Sequence, residues 1–450
     1  MEKKYTIDEV AQELKVSKRT ILREIKRGNL QTQRVGRRYL ISEKALGSYL
    51  AKSSDTKNTD KDIRRYFTSK KGEMVSLLQK MVAMPSVTAE GTQEEKLARF
   101  IKQQLDKWGI RNVIYDNSGA IAIRASFGFG DRGMLLDAPL DTLPAGDSSD
   151  WQFPPFEGVI ANGKMYGRGT ADAKAGIVAI LFTLAFLKEN VSEDQVRVEA
   201  VFDGGEQDGT FLGMREVLKH GLPVEAAIIA YAGDGKDVLV GARGYHRYEF
   251  TAHGKAVHTG SRYKVGVNAI VKMLAFISDC LKWQLPVSRT PLFAFGSRFT
   301  FSQIQGGSAV NMVPDSCKVK LDVRTVPELK KHMLDQLLNK TLAKLKSQDK
   351  EFKIDYVYLC GQEAFILPPG SKIIEVLKES IKESTKISVG LTASGPAHIG
   401  NLLAEYSIPT LVFGPIGDNV HSRNEYVEID SLPITSEIYT KTVLKYFGYT

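Results

Sequence analysis

The chain has 450 residues, of which 43% are hydrophobic and 25% charged, and its formal net charge is +9. This is more chain than one hydrophobic core usually holds, so two to four domains are expected. The longest apolar run, residues 175–187, is shorter than the roughly 18 residues that a membrane-spanning helix needs. The three cysteines are far apart, and the first residues contain no apolar signal core. These features exclude a disulfide framework and favour a cytoplasmic protein without a membrane span.

The basic charge is concentrated at one end of the chain. The first 50 residues hold 12 lysines and arginines against 6 acidic residues, so they carry a net charge of +6 out of the total of +9. A local excess of positive charge is typical of a segment that binds a polyanion. The sequence therefore predicts a polyanionic partner for this end.

The first two helices are predicted from their capping residues. Thr6 and Glu9 form a capping box, and apolar residues then recur from Ile7 at helical spacing on one face. Ser17 is a good N-cap for a second helix that ends at Gly28. The basic side chains of this second helix are free to face outward.

A basic hairpin follows the second helix. The segment QTQRVGRRYLIS predicts two short strands around a turn at Gly36, and Ser42 opens a last helix. A helix, a turn, a basic helix and a basic wing together are typical of a DNA-binding domain, with the second helix in the major groove and the wing on phosphate or in the minor groove. The alternative is a small solvated helical module with basic faces.

The string VSKRTILREIKRGNLQTQRVGRRYLISEKAL resembles the excisionase/MerR-type winged helix-turn-helix, and the match covers residues 5–50. The resemblance implies a DNA-binding domain over residues 1–51. The side chains predicted to contact DNA are Lys18, Arg19, Thr20, Arg23, Arg37 and Arg38.

The rest of the chain predicts a linker and a larger α/β body. Residues 52–62 are polar without apolar periodicity, which is typical of a linker. Helices and β-rich runs then alternate over residues 63–243 and 359–450, which predicts an α/β domain with a mostly parallel sheet and ligands at the strand ends. Residues 244–358 follow the order β-α-β-β-α-β, which predicts a ferredoxin-like α+β insert.

Four blocks of the body carry a second resemblance: WQFPPFEGVIANGKMYGRGTADAKAG, GKAVHTGSRYKVGVNAI, GGSAVNMVPDSCKVKLDVRTVPE and IPTLVFGPIGDNVHSRNEYVEI. They resemble the zinc peptidase family of acetylornithine deacetylase, succinyl-diaminopimelate desuccinylase, aminoacylase and related carboxypeptidases. The blocks occur in family order over roughly residues 65–450. The resemblance implies a zinc-peptidase-like catalytic domain with an inserted lid that usually dimerises, and hence a homodimer through the lid.

The resemblance also implies a set of site residues. In this family two zinc ions, about 3.5–4 Å apart, share a bridging aspartate, each takes one histidine and one further carboxylate, and a glutamate is the general base. Asp172 matches the bridging ligand and His421 matches the C-terminal histidine ligand. Glu206 matches the general base, and Asp141 matches the carboxylate that orients the first histidine.

Three of the five metal ligands implied by the resemblance are replaced. In LLDAPLDTLPAGD, Pro139 stands at the first histidine, and Gln207 replaces the second glutamate of the family pair. The third acid is replaced by Tyr231 or by Ala232, because the alignment slips by one residue there. Proline cannot coordinate a metal, and glutamine supplies only a neutral oxygen. The sequence therefore predicts at most one weakly held zinc or other divalent ion, and none if the site is dead.

Other residues of the same loops could rebuild a site for one metal. They are Asp203, Asp208, Asp234 and His398. The alternative is that they are loop residues that make turns and caps.

The lid keeps the residues that the resemblance assigns to the substrate. His258 matches the histidine that contacts the scissile carbonyl, and Asn311 and Arg324 match the pair that binds the substrate carboxylate. An arginine fork suits a carboxylate. The alternative for Arg324 is a simple ion-paired strand residue.

Two functional hypotheses follow, with a scaffold that has neither ligand nor turnover as a third. The first is a DNA-binding regulator with a degenerate deacylase body that senses a small carboxylate ligand, such as an N-acyl amino acid or a short peptide. The second is a working metal-dependent hydrolase with an altered or single-metal site, in which the helix-turn-helix is an appendage.

Overall fold

The computed structural model describes residues 3–14, 17–26, 30–35, 38–54, 60–88, 93–117 and 119–449. The chain divides into two units, residues 1–66 and residues 67–449. Each unit has its own hydrophobic core and is described by itself.

The first unit is a helix-turn-helix with a β-hairpin. Its elements are β1 (Lys4–Thr6), α1 (Ile7–Glu13), α2 (Lys18–Lys26), β2 (Gln33–Val35), β3 (Arg38–Ser42) and α3 (Glu43–Ser54). The three strands form an antiparallel sheet in the order β1-β3-β2. The buried core consists of Val10, Ala11, Ile21, Leu30, Ile41 and Leu46.

The predicted helix starts of this unit are confirmed. Thr6 Oγ1 accepts a hydrogen bond from Glu9 N at 3.3 Å, and Glu9 Oε2 accepts one from Thr6 N at 2.7 Å, which completes the capping box. Ser17 Oγ accepts a hydrogen bond from Thr20 N at 3.2 Å at the start of α2. The predicted turn residues Gly28 and Gly36 lie outside the described residues.

The predicted linker over residues 52–62 was too long. Helix α3 continues to Ser54, and the next helix already begins at Asp60. The segment AKSS contains no proline or glycine to end α3. Asp60 and Asp62 lie in the first turn of the next helix, where their negative charge interacts favourably with the helix dipole. Residues 55–59, between the two helices, lie outside the described residues.

The second unit contains the body and the lid. From α4 to β11 the elements are α4 (Asp60–Val82, which begins before residue 67), α5 (Gln93–Lys107), β4 (Arg111–Asn117), β5 (Ala120–Phe127), β6 (Met134–Pro139), β7 (Val159–Ala161), β8 (Lys164–Tyr166), α6 (Ala175–Asn190), β9 (Val198–Asp203), α7 (Leu212–Lys219), β10 (Ala226–Ile229) and β11 (Asp237–Ala242). The lid follows with β12 (Gly244–His253), α8 (Ala269–Cys280), β13 (Arg298–Gly306), β14 (Ser316–Thr325), α9 (Lys331–Gln348) and β15 (Ile354–Gln362). The body then continues with β16 (Phe365–Ile366), α10 (Lys372–Thr385), β17 (Gly390–Ser394), α11 (Ile399–Glu405), β18 (Thr410–Val412), β19 (Gly417–Asp418), β20 (Tyr426–Glu428) and α12 (Ser431–Tyr446).

The main sheet of the body is mixed, so the prediction of a mostly parallel sheet was wrong. Its nine strands run β16-β11-β18-β10-β6-β9-β5-β4, with β17 beside β11. The central neighbours β9, β6, β10 and β18 are parallel, whereas β4, β5 and β9 pair antiparallel on one flank and β11 pairs antiparallel with β18 and β16 on the other. Only two residues separate β4 from β5 in the sequence, and a connection this short permits only an antiparallel pair.

Helix α6 is the central helix of the body. Among the described residues, only the segment Thr170–Asn190 is long and apolar enough to cross a membrane by length and composition, and it is entirely buried in the structure. Helix α6 packs against α12 and against strand β6 of the sheet. Its apolar composition on all sides is explained by this burial.

The lid has the predicted ferredoxin-like fold. Its four strands form an antiparallel sheet in the order β13-β14-β12-β15, and α8 and α9 cover one face around a core that includes Tyr248, Phe250 and Leu321. Strand β15 continues to Gln362, so the lid ends four residues later than its predicted end at residue 358. The strand stays paired with β12 over this extension, from Gly361 with His246 to Gln362 with Tyr245.

Candidate active site

The candidate site lies where three neighbouring parallel strands of the body end. Asp141 follows β6, Glu206 and Gln207 follow β9, and Tyr231 follows β10. The carboxyl ends of parallel strands meet at one edge of a sheet, which is the usual ligand position in such folds. The topology therefore brings together residues that are far apart in the sequence.

Asp141 fixes the loop that carries Glu206 and Gln207. Its buried carboxylate accepts hydrogen bonds from Thr88 Oγ1 at 2.8 Å, Gln207 N at 2.9 Å and Glu206 N at 3.2 Å. Burial raises the pKa of Asp141 to about 6, although these hydrogen bonds oppose the shift. With Pro139 in place of a histidine, the described partners of Asp141 are the Thr88 hydroxyl and this loop.

Asp172 and His421, the two surviving metal ligands predicted from the sequence, are in direct contact. His421 Nε2 lies 2.8 Å from Asp172 Oδ2, and the Gln207 side-chain amide donates to the same oxygen at 3.1 Å. The hydrogen bond to Asp172 raises the pKa of His421, which favours the charged imidazolium. Gln207, at a family ligand position, therefore gives the predicted bridging carboxylate a hydrogen-bond donor.

Tyr231 likewise donates a hydrogen bond to an acid of the site, Glu206. The Tyr231 hydroxyl donates to Glu206 Oε1 at 3.0 Å, so Tyr231 rather than Ala232 is the residue that reaches the site. Burial, together with the charges of Asp172 and Asp141, raises the pKa of Glu206 well above its usual range. Glu206, the candidate general base, thus accepts a hydrogen bond from a phenol, and its environment favours the protonated form.

The residues present do not fit a two-zinc group. Pro139 offers no donor atom, and the Gln207 amide and the Tyr231 hydroxyl turn N–H and O–H groups toward the two acids that the family uses around its metals. A group that donates a hydrogen bond to a carboxylate takes up a lone pair that a cation needs. Within the described part of the chain, no three His, Cys, Asp or Glu side chains converge to hold a metal ion.

The four residues considered as replacement ligands have other roles. Asp208 accepts from Thr210 N at 2.8 Å and Asp234 accepts from Lys236 N at 2.8 Å, so both close turns. The imidazole of His398 caps α11, because its Nδ1 accepts from Gly400 N at 3.0 Å. Burial lowers the pKa of His398 to about 4, so this ring is neutral.

Asp203, the fourth of these residues, forms a buried pair with Asp137. Both residues are fully buried on adjacent strands, and neither carboxyl group accepts a hydrogen bond at normal geometry from the described residues. Burial raises the pKa of Asp137 to about 8 and raises that of Asp203 well above its usual range. The pair is therefore stable only when it carries at least one proton.

Asp137→Asn is expected to remove part of a pH dependence of stability. The pKa of Asp137 is about 8 in the folded chain and 3.8 for an ordinary aspartate, so the folded state holds a proton that the unfolded state releases. The contribution of this bound proton to the free energy of unfolding is complete at acidic pH and is lost as the pH rises to about 8. We expect the variant to be about 1–3 kcal/mol more stable than wild type at pH 8.5, with a shallower fall between pH 5 and 8.5 in thermal denaturation. Asp131→Asn, at an exposed acid, is the control, and an equal pH slope in wild type and Asp137→Asn would contradict the pairing.

Glu425 is a buried neighbour of the site that the sequence did not indicate. It is buried, and its carboxylate accepts from Arg168 Nη1 at 2.7 Å and from the backbone nitrogens of Gly169, Ala171 and Asp172 at 2.8–3.0 Å. These bonds hold the loop that presents Asp172. A single acid between Asn424 and Tyr426 has no distinctive spacing, so the sequence carried no signal for this role.

The lid residues predicted to contact a ligand are only partly brought together. Asn311 Nδ2 lies 3.4 Å from His258 Nε2, and both side chains are exposed. Arg324 donates from Nε to Asp322 Oδ1 at 2.7 Å, which matches the ion-paired alternative. The ion pair with Asp322 still leaves other guanidinium N–H groups of Arg324 free for a ligand.

Two of the predicted DNA-contacting side chains are described. Lys18 pairs with Asp8 at 2.6 Å on an exposed surface, and the Thr20 hydroxyl lies 2.9 Å from that of Ser17. The side chains of Arg19, Arg23, Arg37 and Arg38 lie outside the described residues.

Comparison with known proteins identifies both parts of the chain. The family model of Peptidase family M20/M25/M40 matches residues 135–445, and a helix-turn-helix domain model matches residues 5–54. The chain therefore belongs to Peptidase family M20/M25/M40 and also carries a helix-turn-helix domain, which confirms both resemblances predicted from the sequence.

Similar proteins include desuccinylases and peptidases. A probable succinyl-diaminopimelate desuccinylase of Staphylococcus aureus (strain MSSA476) is 26% identical over 411 residues, covering 83% of this chain and 97% of the relative. The succinyl-diaminopimelate desuccinylase of Roseobacter denitrificans is 24% identical over 352 residues, which cover 76% of this chain and 88% of the relative.

Solved structures share the fold of the body. A tripeptidase of Staphylococcus aureus has a TM-score of 0.67 at 18% identity, covering 84% of this chain and 98% of the other. A dinuclear metal-binding M20 peptidase of Bacillus subtilis has a TM-score of 0.65 at 15% identity, covering 85% and 100%.

Proposed function

We propose that this protein is a DNA-binding regulator whose M20 body binds a small carboxylate ligand and does not carry out the two-zinc hydrolysis of its family. One observation carries the proposal: Gln207 and Tyr231, at two family ligand positions, donate hydrogen bonds to Asp172 and Glu206 at 3.1 Å and 3.0 Å. One oxygen of each acid therefore already accepts a hydrogen bond from the protein itself. Without metal, a water molecule is not brought to a pKa near about 7, so Glu206 has little to deprotonate.

Three residues of the lid support the binding of a small carboxylate ligand. His258 and Asn311 are neighbours on an exposed loop surface, and Arg324 offers a guanidinium fork that suits a carboxylate. We propose an N-acyl amino acid or a short peptide as the ligand that these residues bind. Dimerisation through the lid would present two helix-turn-helix domains to paired DNA half-sites in the cytoplasm.

The second candidate function is a hydrolase with an altered or single-metal site. It is favoured by the contact between Asp172 and His421, which brings two family ligands within 2.8 Å, and by the retained Glu206. In that case the helix-turn-helix would localise or regulate an enzyme.

Metal and hydrolysis measurements separate the two functions. For the regulator we expect elemental analysis of the purified chain to find far less than one zinc, manganese or cobalt ion per chain. We also expect the hydrolysis of N-acyl amino acids to stay at background, with no change in Glu206→Gln. Near-stoichiometric metal, with hydrolysis that Glu206→Gln abolishes, would instead establish the hydrolase.

A further inference from the structure

The face of the lid sheet opposite to α8 and α9 carries polar and basic side chains. Side chains alternate between the two faces of a strand, and directly paired residues point to the same face. At the end of the sheet where the lid joins the body, the registers align Arg298 of β13 with Arg324 of β14, Arg324 with Tyr245 of β12, and Tyr245 with Gln362 of β15. We call these four residues the arginine row.

Arg324, in the middle of the arginine row, belongs to a cluster with Arg247 and Asp322 that has more positive than negative charge. Arg247 and Arg324 both donate to the carboxylate of Asp322, at 3.0 Å and 2.7 Å, and both guanidinium groups lie over the ring of Tyr245, at 4.9 Å and 5.7 Å. One carboxylate therefore serves two guanidinium groups. This cluster keeps one uncompensated positive charge.

Arg298 adds a second uncompensated charge at the edge of the row. Its side chain is exposed, its guanidinium lies 5.2 Å from the ring of Phe295, and no ion pair of Arg298 occurs within the described residues. The buried Arg243 lies nearby, and the pKa of Arg243 is lowered by burial and further by the charge of Arg298. Arg243 itself donates to the backbone carbonyls of Gly296 and Phe295, so Arg298 is the member of this pair that can take an anion from outside the chain.

Gln362, at the other end of the row, has no partner for its side chain. It is 2% exposed, and neither its amide nitrogen nor its amide oxygen makes a hydrogen bond within the described part of the chain. An unsatisfied buried polar group costs about 1–3 kcal/mol, and such a group is usually met by a partner from outside the chain, such as an ordered water, an ion or a ligand.

The row borders the candidate active site. A Cβ atom on Gly209 would lie 3.2 Å from the Tyr245 hydroxyl, so the tyrosine touches the loop that follows β9. Gly209 N in turn donates to Glu206 O at 2.9 Å, and the same loop carries Gln207. A molecule bound along the row would therefore reach the residues of the site.

We infer that the arginine row binds a second carboxylate of the ligand, so that the ligand is a dicarboxylate that also carries an amide, on the side of the Arg324-bound carboxylate that faces Gln362. This rests on the proposed function, in which Arg324 binds one carboxylate. Arg298 supplies the second positive charge, in a fork geometry that suits carboxylate oxygens. Gln362 supplies a donor and an acceptor that match an amide of the ligand.

A pair of isosteric probes tests this inference. N-acetyl-L-glutamate and N-acetyl-L-glutamine have the same shape and differ by one carboxylate. By calorimetry or thermal shift we expect the wild-type chain to bind the glutamate compound about 10- to 100-fold more tightly, which is the effect of one charge-assisted hydrogen-bonded contact. Arg298→Gln should remove this preference, whereas Lys340→Gln, on the helix that covers the other face of the sheet, should keep it.

Gln362→Met gives a second and independent readout. Removing an unsatisfied buried amide should leave the melting temperature of the free protein unchanged or raise it, while both probes bind more weakly. A lower melting temperature with unchanged probe affinity would show that Gln362 is a structural residue and would overturn its assignment.

The remaining outcomes separate this inference from the proposed function. Equal affinity for the two probes in wild type, unaffected by Arg298→Gln but lost in Arg324→Gln, would overturn the second subsite and leave the carboxylate sensor standing. No binding of either probe to wild type would count against the sensor itself. Displacement of N-acetylglutamate by inorganic phosphate at equal concentration would overturn the carboxylate class.

Discussion

A triple variant that combines Pro139→His, Gln207→Glu and Tyr231→Glu is expected to bind zinc at least about 1000-fold more tightly than the wild-type chain. Loss of an outer partner of a metal ligand already costs about 10- to 100-fold in affinity, and these three changes restore inner ligands. The new carboxylates would stand where a Gln207 amide now lies 3.1 Å from Asp172 and a Tyr231 hydroxyl 3.0 Å from Glu206. The measurement is a zinc titration against a chelator of known affinity.

Stability gives a second measure of the same variant. Without metal, two added carboxylates beside Asp172 and Glu206 repel them, so the apo form of the triple variant should melt at a lower temperature than wild type. Zinc should then raise its melting temperature strongly, because a ligand that binds only the folded state stabilises it by mass action. Wild type should respond weakly or not at all.

The matched control is the triple variant Pro139→Ala, Gln207→Ala and Tyr231→Ala. It removes the same three side chains and adds no metal donor, so it should stay insensitive to zinc. Zinc affinity in wild type equal to that of the restored variant would contradict the account, because the three replacements would then not be what limits metal binding. A folded restored variant that still fails to bind zinc would show that another feature of the loops has changed as well.

The sequence predicted well those parts of the fold that depend on local interactions. The capping box of Thr6 and Glu9 uses residues three apart, so the start of α1 could be identified before any tertiary contact was known. The linker was overestimated because polar residues without apolar periodicity can continue an exposed helix as easily as they can form a loop. The antiparallel pair of β4 and β5 was missed although its connection is local, whereas the pairing of β5 with β9 depends on contacts distant in sequence.

The same distinction holds for the site. The resemblance identified the replacement of three ligands, but it did not show that Gln207 and Tyr231 turn their donors onto Asp172 and Glu206. Side-chain partners across separate loops have no signature in one sequence. Asp137 was missed for a related reason: in LLDAPLD it looks like a residue at a strand end, whereas the strand continues to Pro139 and buries it.

The double variant Arg19→Gln and Arg23→Gln is expected to weaken DNA binding by about 10- to 100-fold at fixed salt concentration. The sequence assigns both arginines to the outward side of the second helix, which in this class of domain enters the major groove. Each phosphate contact contributes about 0.9 to the slope of log affinity against log salt. If both arginines contact phosphate, the slope should become shallower by about 2.

The measurement is fluorescence anisotropy with a duplex from the region upstream of the chain's own gene, over a range of salt concentrations. The control is Arg99→Gln and Arg132→Gln, two arginines of the body whose side chains are 54% and 80% exposed. This pair removes the same charge from the body and should change affinity and slope little. Equal losses in the two double variants would mean that the overall charge of the chain, rather than the second helix, governs binding.

A body that regulates the helix-turn-helix must be coupled to it thermodynamically, and such coupling is reciprocal. If the body regulates the helix-turn-helix, N-acetylglutamate must change the affinity for DNA, and DNA must change the affinity for N-acetylglutamate by the same factor. Coupling of this kind usually amounts to about 5- to 150-fold. We expect the coupling to disappear in Arg324→Gln while DNA binding without ligand stays as in wild type. A chain that binds DNA and ligand with no coupling between them would instead be a carboxylate-binding body attached to DNA, and the regulatory hypothesis would fail even with both binding activities intact.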